Sequence, residues 1–129
     1  MISLYNSITG IVGRKILNNQ VSQLCLTNQG IEYIFEASRS TLMVLPEMGQ
    51  EARVFVYTIH REDAFYLCGF ASEAERAMFL ELIKVEGIGP KQALKILGAI
   101  THASLENLLE AGDLAGLENL PGVGKKTAQ

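Results

Sequence analysis

No long hydrophobic run, no surplus of basic residues and no cluster of cysteines marks this chain, and each absence narrows what it can be. Its apolar stretches are short, and none approaches the roughly 18 residues that a membrane-spanning helix needs. The opening Met1-Ile2-Ser3-Leu4 carries no basic segment leading into an apolar stretch, so a cytoplasmic protein with no membrane partner is the expectation. The two cysteines, Cys25 and Cys68, each sit in an apolar strand-like run with no second Cys or His at metal-ligand spacing, which favours buried free thiols over a metal site. Eleven Lys and Arg face 14 Asp and Glu, a formal net charge of -3. Nonspecific DNA binding draws most of its strength from phosphate neutralisation by basic side chains, so any DNA surface here has to be local. Dividing the chain at Phe70 leaves five basic and six acidic residues before it and six basic and eight acidic after it, so neither part is basic as a whole.

What is present changes character near Phe70. A chain of 129 residues with 48% hydrophobic content has enough apolar surface for a core, as one domain or two small ones. Up to Phe70 the apolar residues fall in short runs rich in Val, Ile, Tyr and Phe, the composition of strands. The runs are Ile2-Tyr5, Thr9-Ile16, Val21-Thr27, Ile31-Ala37, Arg53-Arg61 and Ala64-Phe70, with turns expected at Asn18-Asn19, Asn28-Gln29-Gly30 and Pro46-Glu47-Met48-Gly49-Gln50. Five or six short strands suggest a small closed barrel of the OB type, since closure removes exposed strand edges. Thr41-Leu45 reads equally as a strand or as one helical turn. The aromatic residues Phe55, Tyr57, Phe65 and Tyr66 lie in dense apolar runs and read as core.

Beyond Phe70 the period becomes helical. Ser72-Glu73-Ala74-Glu75 fits a capping box, and Met78, Phe79, Leu82 and Ile83 follow at helical spacing, so a helix is expected from about Glu73 to Lys84. Gly87-Ile88-Gly89 breaks it, and Pro90 suits the first turn of a second helix whose buried face, Ala93, Leu94, Ile96 and Leu97, runs until Gly98. Thr101 or Ser104 can cap a third helix reaching Gly112, and Asp113 a short fourth ending near Leu120.

The glycine pair occurs twice, 35 residues apart: Val85-Glu86-Gly87-Ile88-Gly89-Pro90-Lys91 and Leu120-Pro121-Gly122-Val123-Gly124-Lys125-Lys126. In register, Gly87 matches Gly122, Ile88 matches Val123, Gly89 matches Gly124, Lys91 matches Lys126 and Ala93 matches Ala128. Glycines allow a tight turn with outward-facing amides, and the following helix adds the positive end of its dipole at the same point, which suits an anion. The aliphatic residue between them can plug into the core, and the alanine lets the two helices of a unit cross closely. Phosphate contacts are expected from Gly87, Ile88, Gly89, Lys91, Gly122, Val123, Gly124, Lys125, Lys126 and Thr127, with Lys84 as supporting charge.

Two nucleotide-loop readings fail. A Walker A loop needs Ser or Thr directly after its Gly-Lys, where Lys126 stands, and a preceding strand, where a leucine-rich helical segment stands. A dinucleotide fingerprint needs a third glycine where Gln92 stands. Arg61-Glu62-Asp63-Ala64 places two adjacent carboxylates in a hairpin tip. Taken alone it reads as solvated turn acids; a hydrolytic metal site normally draws its acids from several segments.

These residues resemble the RuvA family, subunits of the bacterial Holliday-junction branch-migration machinery. The resemblance covers essentially the whole chain. It is carried by Pro46-Glu47-Met48-Gly49-Gln50-Glu51-Ala52, Arg61-Glu62-Asp63-Ala64, Gly69-Phe70, Phe79-Leu80-Glu81-Leu82-Ile83-Lys84 and the two glycine hairpins. Cys68, where an aromatic is common, and Glu32, where a glycine is frequent, depart from it within the barrel. The resemblance implies an α+β architecture: an OB-like barrel over residues 1–70 and an all-α tandem helix-hairpin-helix domain over 71–129, its second motif incomplete at the chain end.

It further implies structure-selective, sequence-independent binding of four-way junction DNA in homologous recombination and repair, by a homotetramer, with one or two tetramers on a junction. Glu62 and Asp63 become acidic pins at the strand-exchange point. No catalytic residue, metal or cofactor is expected in this chain; ATP and Mg belong to a hexameric motor partner, RuvB, and cleavage to a nuclease, RuvC. A small third helical domain that contacts the motor is expected to lie beyond this stretch of sequence. The alternatives are a hairpin-containing DNA repair enzyme, glycosylase or nuclease, and a generic OB-type binder of single strands.

Overall fold

The computed structural model describes residues 5–18, 21–112 and 116. Five strands, β1 (Ser7–Ile16), β2 (Ser22–Asn28), β3 (Ile31–Ala37), β4 (Glu51–His60) and β5 (Phe65–Phe70), form a closed barrel in the order β1-β2-β3-β5-β4. Closure comes from β1, which pairs with β4 along Ser7–Ile11 and with β2 from Ile11 onward, its register shifting between Val12 and Lys15. A bulge of this kind bends a strand and lets one chain serve two neighbours. All pairings are antiparallel except β3 with β5. Of the expected strands, Ile2-Tyr5 falls largely outside the described residues, as does Asn19 of the first expected turn.

The connection from β3 to β4 settles the ambiguous segment: Arg39–Val44 is a helix, α1. Ser38 caps it by accepting the Thr41 N–H at 3.0 Å, and Lys15 Nζ donates to the Leu42 and Leu45 carbonyls at its other end, both at 2.9 Å. These side chains satisfy groups that a helix of one and a half turns leaves open, which local composition alone does not reveal.

After the barrel come α2 (Glu73–Ile83), α3 (Pro90–Ala99) and α4 (His102–Ala111). Ser72 caps α2, accepting the Glu75 N–H at 3.1 Å. The return arm of the expected capping box goes elsewhere. Glu75 Oε1 accepts from the Ala71 N–H at 3.0 Å and from the Thr41 hydroxyl, and Oε2 accepts from Ser38 Oγ at 2.9 Å. Thr101, not Ser104, caps α4, and Gly112 ends it in the left-handed conformation. Gly98 does not end α3, which runs on to Ala99. A Cβ there would lie 3.1 Å from both the Cβ and the backbone N of Arg39, so Gly98 is where α3 crosses α1 closely. The expected cap Asp113 and the helix ending near Leu120 lie outside the described residues.

Two apolar clusters result. One fills the barrel around Val12, Leu24, Leu26, Phe35, Val54 and Val56. The other lies between the barrel's outer face and the helices, joining Ile59, Cys68 and Phe70 to Phe79, Leu82, Leu94 and Leu105. Alternation along β4 serves both: Val54 and Val56 point inward while Phe55, Tyr57 and Ile59 pack beneath the helices. Phe70 and Tyr57 meet Phe79 with ring centroids 5.0 and 5.9 Å apart.

Cys25 and Cys68 are buried free thiols. Burial, then the nearby Glu36 carboxylate, pushes the Cys68 thiol far above its ordinary value of 9.0. The Tyr66 hydroxyl is raised by burial, then by Cys68 and Glu36, with Arg61 opposing. A proton held in the folded state but released by the unfolded chain makes stability fall as pH rises past the unfolded value. Urea unfolding is therefore expected to show a loss of stability from about pH 9 upward, and Cys68→Ala to reduce the loss between pH 8 and pH 10 relative to wild type.

The β2–β3 hairpin turns through Gln29 and Gly30, with φ of 50° and 83°, between the paired residues Asn28 and Ile31. A two-residue turn with both φ positive is type I′, in which Asn-Gly is preferred and Gln is strained. Gln29→Asn is expected to raise unfolding stability by about 0.5–1 kcal/mol, read from urea midpoints.

Candidate nucleic-acid interface

The loop between α2 and α3 is built from the glycine pair. Ile88 N–H donates to the Val85 carbonyl at 3.1 Å, and Gly87 has φ of 90°. That is a type II turn, whose third position needs positive φ and so selects glycine. Ile88 packs half-buried against the helical cluster, which anchors the turn from below. Gly89 then takes the N-cap of α3 with no side-chain cap, and Pro90 occupies the first turn. The next helical hydrogen bond runs from Ala93 N–H to the Gly89 carbonyl at 2.9 Å. The Lys91 and Gln92 amides precede it at an uncapped helix start, so they have no intrahelical acceptor, an arrangement that suits an anion, although Gln92 itself is buried. Gly87, Gly89 and Lys91 are exposed, and Ala93 is fully buried where α3 meets the cluster.

Lys84 ends α2 with its amine 2.8 Å from Glu81. An exposed pair of this kind holds about 0–1 kcal/mol, so a phosphate can compete for the lysine. Gly122, Val123, Gly124, Lys125, Lys126 and Thr127 lie outside the described residues, and the second hairpin with them.

The acidic pair stands on the barrel. Arg61 N–H donates to the Ala64 carbonyl at 2.7 Å, closing the β4–β5 tip, and Glu62 and Asp63 are both exposed on it. Among the described residues no hydrogen bond or ion pair joins this tip to the glycine loop. Among the described residues no group of three or more His, Cys, Asp or Glu could hold a metal ion.

The aromatic residues divide. Phe55, Tyr57 and Tyr66 pack against the helical cluster, as expected. Phe65 is 57% exposed, against the expectation of core, because it opens β5 directly after the tip, where no helix covers the strand. Its position beside two turn acids was the one available signal. Sequence reading also missed Glu75 as the link between barrel and helices, because its partners Ser38 and Thr41 lie more than 30 residues upstream.

A closed OB-like barrel followed by a helix-hairpin-helix unit is an architecture of nucleic-acid-binding proteins. Residues 4–69 match the family described as RuvA N terminal domain, and residues 79–129 the one described as SAM-like helix-hairpin-helix tandem. The chain belongs to the RuvA family. It is 46% identical over 126 residues to the Holliday junction branch migration complex subunit RuvA of Treponema denticola, covering 98% of this chain and 61% of that protein. The protein of the same name from Treponema pallidum is 44% identical over 126 residues, with 98% and 54% covered, and that from Actinobacillus pleuropneumoniae is 39% identical over 122 residues, with 92% and 61% covered. The chain thus spans somewhat over half the length of these relatives.

Gly87→Ala is expected to destabilise the protein by about 1–2 kcal/mol, because a side chain resists that backbone conformation. Gly89, with φ of -90° and nothing within 4 Å of the point a Cβ would occupy, should cost less than about 1 kcal/mol on substitution by Ala. Paired urea melts compare the two.

Proposed function

We propose that this chain binds four-way DNA junctions by shape, without reading sequence, and holds them open for branch migration in recombination and repair. The observation that carries the proposal is the rigid Gly87-Ile88-Gly89 turn at the uncapped start of α3. Backbone amides gripping phosphate read no bases, so a surface of this kind positions a duplex and does not select sequence. We take residues 71–129 as the gripping domain, with Gly122, Val123, Gly124, Lys125, Lys126 and Thr127 as a second grip and Lys84 in support, and residues 1–70 as the domain presenting the pins.

Grip alone would suit any duplex, and the acids supply selectivity. Glu62 and Asp63 repel phosphates, and screening confines that repulsion to about 8 Å at physiological salt, so they act only on strands passing close by. In a homotetramer, alone or paired with a second one across the junction, the tips would gather at the exchange point and separate strands entering neighbouring arms. The names of the relatives support this setting. On this reading the chain performs no chemistry and needs no cofactor. RuvB supplies ATP hydrolysis, RuvC supplies cleavage, and the complex works in the bacterial cytoplasm on the nucleoid. A single-strand binder is less well supported, since Phe65, the exposed aromatic of β5, stands next to two acids that repel the backbone whose bases it would stack.

The test compares a four-way junction with a linear duplex of matching sequence at fixed moderate salt. Tighter junction binding is expected, and equal affinity overturns the proposal. Lys91→Ala and Lys126→Ala should each weaken binding for all sequences alike and lower the slope of log affinity against log salt by about one. Glu62→Gln with Asp63→Asn should narrow the preference for junction over duplex.

A further inference from the structure

Two arginines share one aromatic ring on the outside of the barrel. The Arg53 guanidinium, on β4, lies 4.7 Å from the centroid of the Phe55 ring, and that of Arg76, near the start of α2, lies 5.5 Å from it. The two charges therefore stand no further apart than the sum of those distances. Like charges so close repel each other, yet every acceptor that holds them is neutral. Arg53 Nε donates to Ser7 Oγ at 3.1 Å. Arg76 Nη1 donates to the Asn6 and Val56 carbonyls at 2.8 and 3.0 Å, and its Nη2 donates to Asn6 Oδ1 at 2.9 Å. Among the described residues neither arginine has an ion-pair partner, although Glu51 stands two residues before Arg53 and Glu73 three before Arg76.

Those bonds leave donors over. A guanidinium carries five N–H groups, so Arg53 keeps both of its Nη groups, and Arg76 keeps Nε and one N–H of Nη2. Arg53 is exposed and Arg76 half-buried. A planar donor fork laid on an aromatic face and tied at one nitrogen is preorganised for a phosphate or a carboxylate.

Position chooses between those two anions. Arg76 and Lys84 are eight residues apart along α2 and its C-terminal cap, which is about 12 Å along the axis and about a quarter of a turn around it. Lys84 borders the Gly87-Ile88-Gly89 turn. A DNA strand advances about 3.4 Å along the duplex axis per nucleotide, so the separation corresponds to about three or four nucleotides. We propose that Arg53 and Arg76 make a further phosphate contact, from side chains on the barrel side, to the backbone of the same DNA that the glycine loop grips. α2 is then the track between two grips, one built of backbone amides and one of guanidinium groups. This rests on the phosphate grip of the preceding section and is independent of junction selectivity.

Duplex binding measured over a salt series tests it, each variant being shown folded by circular dichroism and a urea melt. Arg53→Gln should lower the slope of log affinity against log salt by about one, and Arg53→Gln with Lys91→Ala by about two. Arg14→Gln removes the same charge from an exposed position on β1 away from the Phe55 ring, and should leave the slope as in wild type. An Arg53→Gln slope equal to that of wild type overturns the proposal and leaves the arginine pair to an acidic protein segment. An equal fall in Arg14→Gln overturns it as well, since the effect would then be one of net charge. Should Arg53→Gln fail to fold, Arg53→Met keeps an unbranched stem over Phe55 and carries the same expectations. Equal affinity of wild type for junction and duplex would count against the junction reading and leave this contact standing, whereas a wild type that binds no DNA overturns both.

Discussion

The Glu75 carboxylate is the point on which the arrangement of this protein depends. A half-buried carboxylate is held most firmly when its oxygens are filled by donors, and three donors fill this one. The Ala71 amide comes from the end of the barrel, and the Ser38 and Thr41 hydroxyls come from the cap of α1. Its own amide, meanwhile, completes the cap of α2 with Ser72. Barrel, inserted helix and helical region are thereby referred to a single side chain, and the direction in which α2 leaves the barrel is set within its first turn.

From that fixed start the position of the glycine loop follows. α2 lays Phe79 against Phe70 and Tyr57 of the barrel wall, and Arg76 donates to the Asn6 and Val56 carbonyls at 2.8 and 3.0 Å. α3 is held from the other side by α1, through the Gly98 crossing and the Ser40 hydroxyl bonded to the Leu97 carbonyl at 3.0 Å. The amides without an intrahelical acceptor at the start of α3 are therefore mounted on a helix with two independent supports. A preorganised anion site needs such rigidity, because a loop ordered only on binding would lose affinity to its own entropy.

Much of this was legible where the cause is local. The Ser72 cap, the Pro90 start, the positive φ of Gly87 and the strand periods on both sides of the Arg61–Ala64 tip each depend on a few adjacent residues. Legibility failed where a residue has two possible uses. Gly98 has the composition of a helix end yet serves a crossing, because only the approach of Arg39 from 59 positions upstream makes a side chain crowded there. Glu75 has the spacing of a capping box yet reaches across to α1. Phe65 sits in an apolar run yet faces water, since which strand ends the helices cover is a matter of packing.

The sequence by itself determined that a strand-forming region precedes a helix-forming one, that a glycine pair opens a helix with its amides free, and that two acids crown a hairpin. Periodicity, turn chemistry and capping act over a few residues, so they can be read in order along the chain. Only the tertiary structure decided that β1 would serve both β2 and β4 to close the barrel, that β3 and β5 would pair only from Phe35↔Leu67 to Ala37↔Gly69 and leave a groove, and that α1 would brace α3. Those outcomes depend on which distant surfaces meet, and burial of apolar area is blind to distance along the chain.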